Sequence, residues 1–294
     1  MKIGIYGRIY KKEFAEKIQQ LYNSLHLREV DYATEELFLA QCVANGIKVT
    51  QTQTFADASE VKKLDLDMLI VFGGDGTILD TMAYVHKQPI PVLGINTGRL
   101  GFLAADAEVP IDILVDQVLK GHYAIEERSC LQLVSGEAMF GGANYALNDF
   151  VIHKKDSSAM ITIHTYLNGE FLNSYWSDGL IISTPTGSTG YSLSCGGPIL
   201  YPGSSSVLIT PIAPHNLNVR PMVIPDNQVI TFEVEGRSTS FLISLDSRSE
   251  TINTSTQLAI KKADFNFKIA RLNQENYLKT LRKKLMWGLD NRNI

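Results

Sequence analysis

The segment VFGGDGTILD at residues 71–80 combines residue types that could carry chemistry. An apolar run leads into Gly73-Gly74-Asp75-Gly76, and a helix-like pattern follows at once. Glycine lets backbone N–H groups come close to a ligand, and the first turn of a helix attracts phosphate. A loop that only held phosphate would not carry the negative charge of Asp75 unless a metal ion or a substrate hydroxyl engaged it. The segment therefore predicts phosphoryl transfer, in which Asp75 orients and deprotonates the attacking hydroxyl.

A simpler interpretation of the same residues is a glycine-rich turn in which Asp75 only caps a helix. Thr77 and Asp80 have the spacing of a variant capping box, which predicts that a helix begins beside the loop. Both interpretations stay open at the level of this one segment.

The first hundred residues predict the element that positions this loop, an α/β domain with a parallel, Rossmann-like sheet. Near-continuous apolar runs are typical of parallel strands that are covered on both faces. Helical spacing of apolar residues separates these runs, and Gly46 and Gly121 are expected to end two of the helices. The strands are predicted at 2–7, 68–72 and 91–96, and the helices at 11–25, 33–46 and 108–121.

The second half predicts a mostly antiparallel, sandwich-like β domain. Its segments are short and rich in β-branched or aromatic residues, and Asn168-Gly169 is a hairpin signal. Residues 276–289 return to a helical pattern, and we expect this C-terminal helix to rejoin the N-terminal domain. The predicted domains are therefore residues 1–107 plus about 272–294, which carry the glycine loop, and residues 108–271. The β segments lie at 123–134, 159–176, 228–236 and 239–247.

Composition excludes several classes of protein. The 294 residues suffice for two domains, and a net charge of -4 gives no general attraction to nucleic acid. No eighteen apolar residues stand together and the start does not resemble a signal peptide, so we expect a cytoplasmic protein without a membrane partner. Three cysteines without a CxxC pair argue against disulfides or a cysteine zinc site.

Four further motifs follow the loop in order. They are GINTGRLGFLA (94–104), ALNDFVI (146–152), SDGLIISTPTGSTGYSLSCGGPIL (177–200) and TPIAPHNLNVRP (210–221). Together with GGDGT, they strongly resemble the NAD kinase family, whose members phosphorylate the 2′-hydroxyl of the adenosine ribose of NAD to give NADP. GGDG alone is shared with diacylglycerol-type lipid kinases and 6-phosphofructokinases, whereas its combination with TPTGSTGY is specific. The resemblance extends from Gly73 to about Arg248.

The resemblance implies roles for individual residues. Asp75 is expected to accept the proton of the ribose hydroxyl, between Gly74 and Gly76, which line the nucleotide site. Asn148-Asp149 stands where the family has Asn-Glu and is expected to bind the second nucleoside of NAD. Asp178 is expected at the nicotinamide end. Further expected substrate contacts are Thr186, Ser188, Thr189, Gly190 in place of the usual alanine, Tyr191, Ser192 and Ser194.

Three other positions keep two interpretations each. Arg248 replaces the usual glutamine and is expected among the substrate contacts, where it either pairs with a phosphate or faces solvent. Arg99 contacts a phosphate or belongs to a purely structural turn. His215 lies near the site as a catalytic group or as a structural histidine.

The resemblance also implies cofactors and partners. ATP is the expected phosphoryl donor, and a divalent metal such as Mg²⁺ is expected to bridge its phosphates, although no metal ligand is assigned. The expected partners are NAD and ATP, in a homodimer or homotetramer with shared sites.

Two other functions compete with this interpretation. A diacylglycerol-type lipid kinase would need a membrane attachment, for which the basic helix at 276–287 is the candidate, yet its leucines have the spacing of a helix docked on a domain. A non-catalytic dinucleotide sensor would gain nothing from a bare carboxylate beside phosphates. Asp75 therefore favours the kinase.

Overall fold

The structure is a computed structural model that describes residues 1–8, 14–50, 52–96, 101–104, 109–155, 159–272 and 277–288. The chain divides into two compact units, Met1–Glu126 with Lys268–Ile294, and Glu127–Phe267. The predicted fold class is confirmed, because the first unit contains a parallel α/β sheet and the second contains antiparallel β-sheets.

The first unit is built on parallel strands in the order β3-β2-β1-β4-β5. Apolar side chains fill the strands nearest the glycine loop, and every residue of β4 and β5 is buried. Continuous apolar strands form where helices cover both faces of a sheet, so the predicted pattern is confirmed. The strands are β1 (Lys2–Gly7), β2 (Asp31–Glu35), β3 (Gln53–Phe55), β4 (Met68–Phe72) and β5 (Val92–Ile95).

Three helices of the first unit share one apolar core with this sheet. Among them, α1 contributes Ile18, Leu21 and Leu25, and α6 contributes Leu114 and Val115. The helices are α1 (Ala15–Leu27), α2 (Glu36–Ala44), α3 (Ala58–Leu64), α4 (Asp75–Asp80), α5 (Met82–Val85) and α6 (Ile111–Leu119).

The predicted start of the second helix at residue 33 is wrong. Residues 31–35 form β2, in which Thr34 pairs with Ile5 of β1 and is fully buried. The helix begins at Glu36, where the side chain of Glu35 accepts a hydrogen bond from the amide of Phe38 at 2.8 Å. Pairing with a buried strand thus overrode the helical spacing of these residues. At the other end Gly46 has φ +82°, as expected for glycine after a helix.

The second unit is a sandwich of two antiparallel sheets. One sheet has the strand order β13-β12-β11-β8-β15-β16, and the other contains β10-β9-β14-β17 with β6 and β7. The strands are β6 (Tyr123–Ser135), β7 (Tyr145–Ala146), β8 (Asp149–Lys154), β9 (Ile161–Leu167), β10 (Glu170–Ser177), β11 (Gly179–Ser183), β12 (Ser206–Ile212), β13 (Met222–Pro225), β14 (Ile230–Glu235), β15 (Ser240–Leu245), β16 (Arg248–Asn253) and β17 (Leu258–Leu272). A short helix, α7 (Tyr191–Ser194), follows a 3₁₀ turn at Gly187–Thr189.

Apolar side chains from both sheets form one core in this unit. Between the two sheets, the ring centres of Phe150 on β8 and Phe232 on β14 lie 5.8 Å apart. Asn168 and Gly169 have φ +50° and +85° and join β9 to β10, which confirms the predicted hairpin.

The C-terminal helix returns to the first unit, as predicted, and the end of the last strand returns with it. Ile269 of β17 pairs in parallel with Val92 of β5, and α8 (Tyr277–Leu285) follows. Leu281 of α8 is buried whereas Leu278 is exposed, so the expected leucine face is only partly correct. No helix within the described ranges is both long enough and apolar enough to cross a bilayer.

Candidate active site

The glycine loop runs from the end of β4 straight into α4, and Asp75 is the first helical residue. The predicted capping box is wrong, because the helix begins two residues before Thr77 and its N-cap, Gly74, makes no side-chain capping bond. None of the three glycines has a positive φ. Glycine is required at position 73 because a Cβ there would lie 2.2 Å from Thr77 Oγ1. A Cβ on Gly74 or Gly76 would meet nothing within 4 Å, so the space beside these two residues is open.

The carboxylate of Asp75 is anchored by three successive backbone amides. Its Oδ2 accepts from Phe102 N at 2.7 Å, and its Oδ1 accepts from Leu103 N at 2.9 Å and Ala104 N at 3.4 Å. Amide donors suit a negatively charged acceptor. The side chain remains 26% exposed, so Asp75 is fixed in direction and still accessible.

Glycine at position 101 permits this contact. A Cβ at Gly101 would lie 1.9 Å from Asp75 Oδ1 and 2.6 Å from its carboxyl carbon. The sequence showed glycines in GINTGRLGFLA but gave no partner for them. Arg99 lies outside the described residues.

Arg271 of β17 holds the same backbone segment from its carbonyl side. Its guanidinium donates to the carbonyl oxygens of Phe102 and Leu103, both at 2.8 Å, and to Glu126 Oε2 at 3.2 Å. Arg271 is only 9% exposed. The segment at 102–103 therefore presents its amides to Asp75 and its carbonyls to a buried cation, and no motif signalled this role for Arg271.

Helix α8 brings the cation of Lys284 close to the carboxylate of Asp75. Its Nζ lies 3.7 Å from Asp75 Oδ2 and 4.4 Å from the centre of the Phe102 ring. The Tyr277 ring, on the same helix, lies 6.2 Å from the Phe102 ring. From the sequence, the basic residues of this helix suggested only a candidate membrane attachment, and no motif marked Lys284.

A second cluster lies in the β-rich unit, around the turn after β15. Asp246 accepts from the amides of Leu147, Asn148 and Asp149 at 2.9, 2.7 and 3.2 Å. Its own amide donates back to Asp149 O at 3.0 Å. Asp246 thus fixes the backbone of the predicted Asn148-Asp149 pair without engaging either side chain. The sequence did not identify this role.

The TPTGSTGY segment packs directly on this pair. Thr184 N donates to Asn148 O at 2.9 Å, and a Cβ on Gly187 would lie 2.2 Å from the same oxygen. A Cβ on Gly190 would lie 3.6 Å from Asn148 Nδ2 and 3.9 Å from Asp149 Oδ2. The structure therefore brings Asn148, Asp149 and Gly190 together.

The hydroxyls of this segment divide into two groups. Ser188 and Ser192 are fully buried, and their hydroxyls bond to Pro185 O at 2.7 Å and to Thr210 Oγ1 at 2.8 Å. These two hydroxyls support the shape of the loop. Thr186 is nearly buried and Thr189 half-buried, whereas Tyr191 and Ser194 are exposed.

Asn148 carries an unsatisfied acceptor. Its Oδ1 is buried and has no hydrogen-bond partner in the part of the chain that the structure describes. Leaving such an oxygen unpaired costs about 1–3 kcal/mol, so a ligand that donates a hydrogen bond here would be favoured.

The remaining predicted residues have defined partners. Asp178 pairs with Lys154, whose Nζ lies 2.5 Å from its Oδ1. The His215 and Trp176 rings lie 4.1 Å apart. Arg248 donates to the carbonyls of Ala143 and Tyr145, so its guanidinium supports the strand leading to Asn148.

Burial sets the protonation of two carboxyls in this cluster. Burial, with a smaller contribution from the charge of Asp246, raises the pKa of Asp149 to about 7. Burial raises the pKa of Asp246 to about 6, against the opposing effect of its three amide donors. Burial also raises the pKa of Tyr191, and Cys195, Asp149 and Asp178 add smaller contributions, so both carboxylates lie within electrostatic reach of the Tyr191 phenol.

Side chains that commonly bind metal ions do not cluster among the described residues of this site. No group of three or more His, Cys, Asp or Glu side chains in the described ranges is placed to hold a metal ion. The Asp75 carboxylate already accepts hydrogen bonds from three backbone amides.

Two families match the chain along most of its length. The family described as ATP-NAD kinase N-terminal domain matches residues 3–123, and the one described as ATP-NAD kinase C-terminal domain matches residues 147–272. NAD kinases from Cytophaga hutchinsonii and Flavobacterium johnsoniae are each 48% identical over 100% of both chains. An NAD kinase from Bacteroides fragilis is 43% identical over 99% of this chain and 100% of its own.

Two solved structures share the fold. Yeast NADH kinase complexed with NADH has a TM-score of 0.88 at 21% identity, over 99% of this chain and 88% of its own. An NAD kinase from Archaeoglobus fulgidus in complex with ATP has a TM-score of 0.72 at 24% identity, over 97% and 99%.

We expect Gly101→Ala to destabilise the first unit. The added methyl group would overlap the Asp75 carboxylate, and such overpacking costs about 1–3 kcal/mol in the free energy of unfolding. Urea unfolding followed by circular dichroism measures the change. Gly136→Ala is the matched control, because a Cβ there meets nothing within 4 Å. Equal stability of the two variants would contradict the close contact.

We expect Asp149→Asn to flatten the pH dependence of stability. A carboxyl whose pKa rises on folding stabilises the protein fully at low pH, and this contribution is lost as the pH rises through the folded-state value, here about 7. Between pH 5 and 8 the wild type should therefore lose on the order of 2 kcal/mol relative to Asp149→Asn. Urea unfolding at four pH values tests this, and parallel pH profiles would refute it.

Proposed function

Because this chain belongs to the NAD kinase family, we propose that Asp75 receives the 2′-hydroxyl of the adenosine ribose of NAD. The family's activity, ATP-dependent phosphorylation of NAD to NADP, is the activity of this chain. One observation carries the role of Asp75. Its carboxylate is fixed by three amides yet remains accessible, beside glycines whose Cβ positions are open.

The proposed step uses both oxygens of that carboxylate. Oδ1 carries two of the three amide bonds, and Oδ2 carries one, so Oδ2 has room to accept the hydroxyl. The hydroxyl oxygen bonds to the γ-phosphorus of ATP while the bond from that phosphorus to ADP breaks, and the hydroxyl proton passes to Asp75. Holding the hydroxyl in line is the larger contribution, and general-base catalysis adds about 10²- to 10⁴-fold.

The β-rich cluster is the proposed site for the rest of NAD. Asn148 Oδ1 has no hydrogen-bond partner among the described residues, and Asp149 and Asp178 both lie within electrostatic reach of Tyr191. Gly190 lies against Asn148 and Asp149. We assign the nucleoside and nicotinamide contacts to these five residues. Accessible hydroxyls of Thr189 and Ser194 complete the set, while Thr186, Ser188, Ser192 and Arg248 shape the surrounding backbone and His215 stacks on Trp176.

The divalent metal is proposed as part of the substrate. Magnesium binds readily through nucleotide phosphates and its own waters, and the described residues offer no cluster of ligands for it. We therefore expect MgATP to enter as one species.

Location and assembly follow from the same proposal. Three free cysteines, two of them buried, suit a reducing cytoplasm. Exposed apolar side chains of the β-rich unit suit a homodimer or homotetramer; they include Phe171, Trp176, Tyr201, Met222 and Val223.

The lipid-kinase and sensor alternatives are not favoured, because the relatives along the full chain are NAD kinases.

We expect Asp75→Asn to lower kcat for NADP formation at least about a hundredfold. The amide cannot accept the hydroxyl proton, and its NH₂ group would face either the Phe102 amide or the ribose. NADP formation measured with MgATP and NAD gives kcat, and calorimetric titration should show NAD binding retained to within about tenfold, because only one hydrogen bond is lost. Near-normal turnover would mean that Asp75 serves only to anchor the loop.

Gly76→Ala provides an independent test of the same site. Its Cβ meets no protein atom within 4 Å, and alanine favours a helix over glycine by up to about 1 kcal/mol, so stability should hold or rise. A nucleotide lying against the loop would be displaced, and we expect kcat/KM to fall at least about tenfold. Unchanged kcat/KM would place the nucleotide elsewhere.

A further inference from the structure

The reaction proposed at Asp75 brings two negatively charged groups close together. The carboxylate and the γ-phosphoryl group of ATP must both reach the same hydroxyl. Two unit charges about 4 Å apart repel by about 1 kcal/mol in water and by about 4 kcal/mol at the effective dielectric of a protein surface. A positive group beside Asp75 would offset this repulsion, and enzymes of phosphoryl transfer rely on such groups.

Lys284 occupies that position. Its ammonium lies 3.7 Å from Asp75 Oδ2, the oxygen that carries the single amide bond. It lies 4.4 Å above the ring of Phe102, whose amide makes that same bond. Cation–π contact at this distance directs the ammonium without using its hydrogen-bond donors.

The carboxylate does not need Lys284 to hold it in place. Three amides fix Asp75 already, and Arg271 fixes their carbonyl side. The 3.7 Å separation is too long for a hydrogen bond. No hydrogen bond from the ammonium is recorded within the described ranges, and the side chain is 35% exposed. The lysine is therefore placed at the carboxylate with its donors uncommitted.

We propose that Lys284 is a catalytic residue whose ammonium contacts the γ-phosphoryl group transferred to the hydroxyl on Asp75. This inference rests on the role of Asp75 proposed above. In the step, the hydroxyl oxygen–phosphorus bond forms, the bond to ADP breaks with its electron pair leaving on ADP, and the proton goes to Asp75. Lys284 neither gains nor loses a proton and offsets charge on the phosphoryl oxygens. Helix α8 thereby supplies a catalytic group near the C-terminal end of the chain.

The test compares Lys284→Met with Lys279→Met. Lys279 is exposed on the same helix, so its substitution removes an equal charge. We expect Lys284→Met to lower kcat about a hundredfold, and Lys279→Met to leave it within twofold. KM for NAD should change little in either variant.

Nucleotide affinity separates a phosphoryl contact from an effect through Asp75. Calorimetry with MgATP and with MgADP, without NAD, measures the preference for the γ-phosphoryl group. Lys284→Met should weaken ATP binding about tenfold and leave ADP binding unchanged. An unchanged ATP-to-ADP preference, with or without loss of kcat, would overturn the proposal.

Lys284→Arg guards against misfolding of the methionine variant. Arginine keeps the positive charge, so most of the ATP preference should remain, and a loss as complete as with methionine would also overturn the proposal. The Asp75 proposal fails on a different result, normal turnover of Asp75→Asn, so the two failures are distinguishable.

Discussion

The contact between the carboxylate of Asp75 and three successive amides at residues 102–104 is the constraint on which the first unit's site depends. It requires glycine at position 101, because any side chain there would overlap the carboxylate. It also orients Phe102, whose carbonyl binds Arg271 and whose ring lies under Lys284. An acid held this rigidly loses little freedom when a hydroxyl binds to it, which is the advantage of preorganisation.

The β-rich unit also contains a carboxylate that accepts hydrogen bonds from three successive backbone amides, but this carboxylate has a different role. Asp246 gathers the amides of residues 147–149, so the side chains of Asn148 and Asp149 take no part in this anchoring. The acid that does the anchoring is separate from the residues proposed to bind, whereas at Asp75 the anchored acid is itself the residue proposed to bind. Burying Asp149 beside a second carboxyl raises its pKa to about 7, and a ligand that donates a hydrogen bond would favour its charged form.

The sequence predicted those features of the fold that depend on residues close together in the chain. Continuous apolar runs indicated the parallel sheet, and Asn168-Gly169 indicated the hairpin. Contacts between distant segments were not predictable. Arg271 and Lys284 lie far along the chain from the 102–104 amides, and no periodicity or motif marks them. The helix predicted from residue 33 was wrong for the same reason, since pairing with β1 decides the conformation of Thr34. The capping box failed because Gly74, without any side-chain bond, already begins α4.

The most direct test of the central claim measures how strongly the protein prefers NAD to an analogue that lacks the 2′-hydroxyl of the adenosine ribose. Calorimetric titration of the wild type should show the analogue binding about tenfold more weakly, because one hydrogen bond to a charged acceptor is lost. In Asp75→Asn that preference should largely disappear, whatever the substitution does to the neighbouring backbone. An equal preference in both proteins would contradict the account, because the hydroxyl would then be held by some other group.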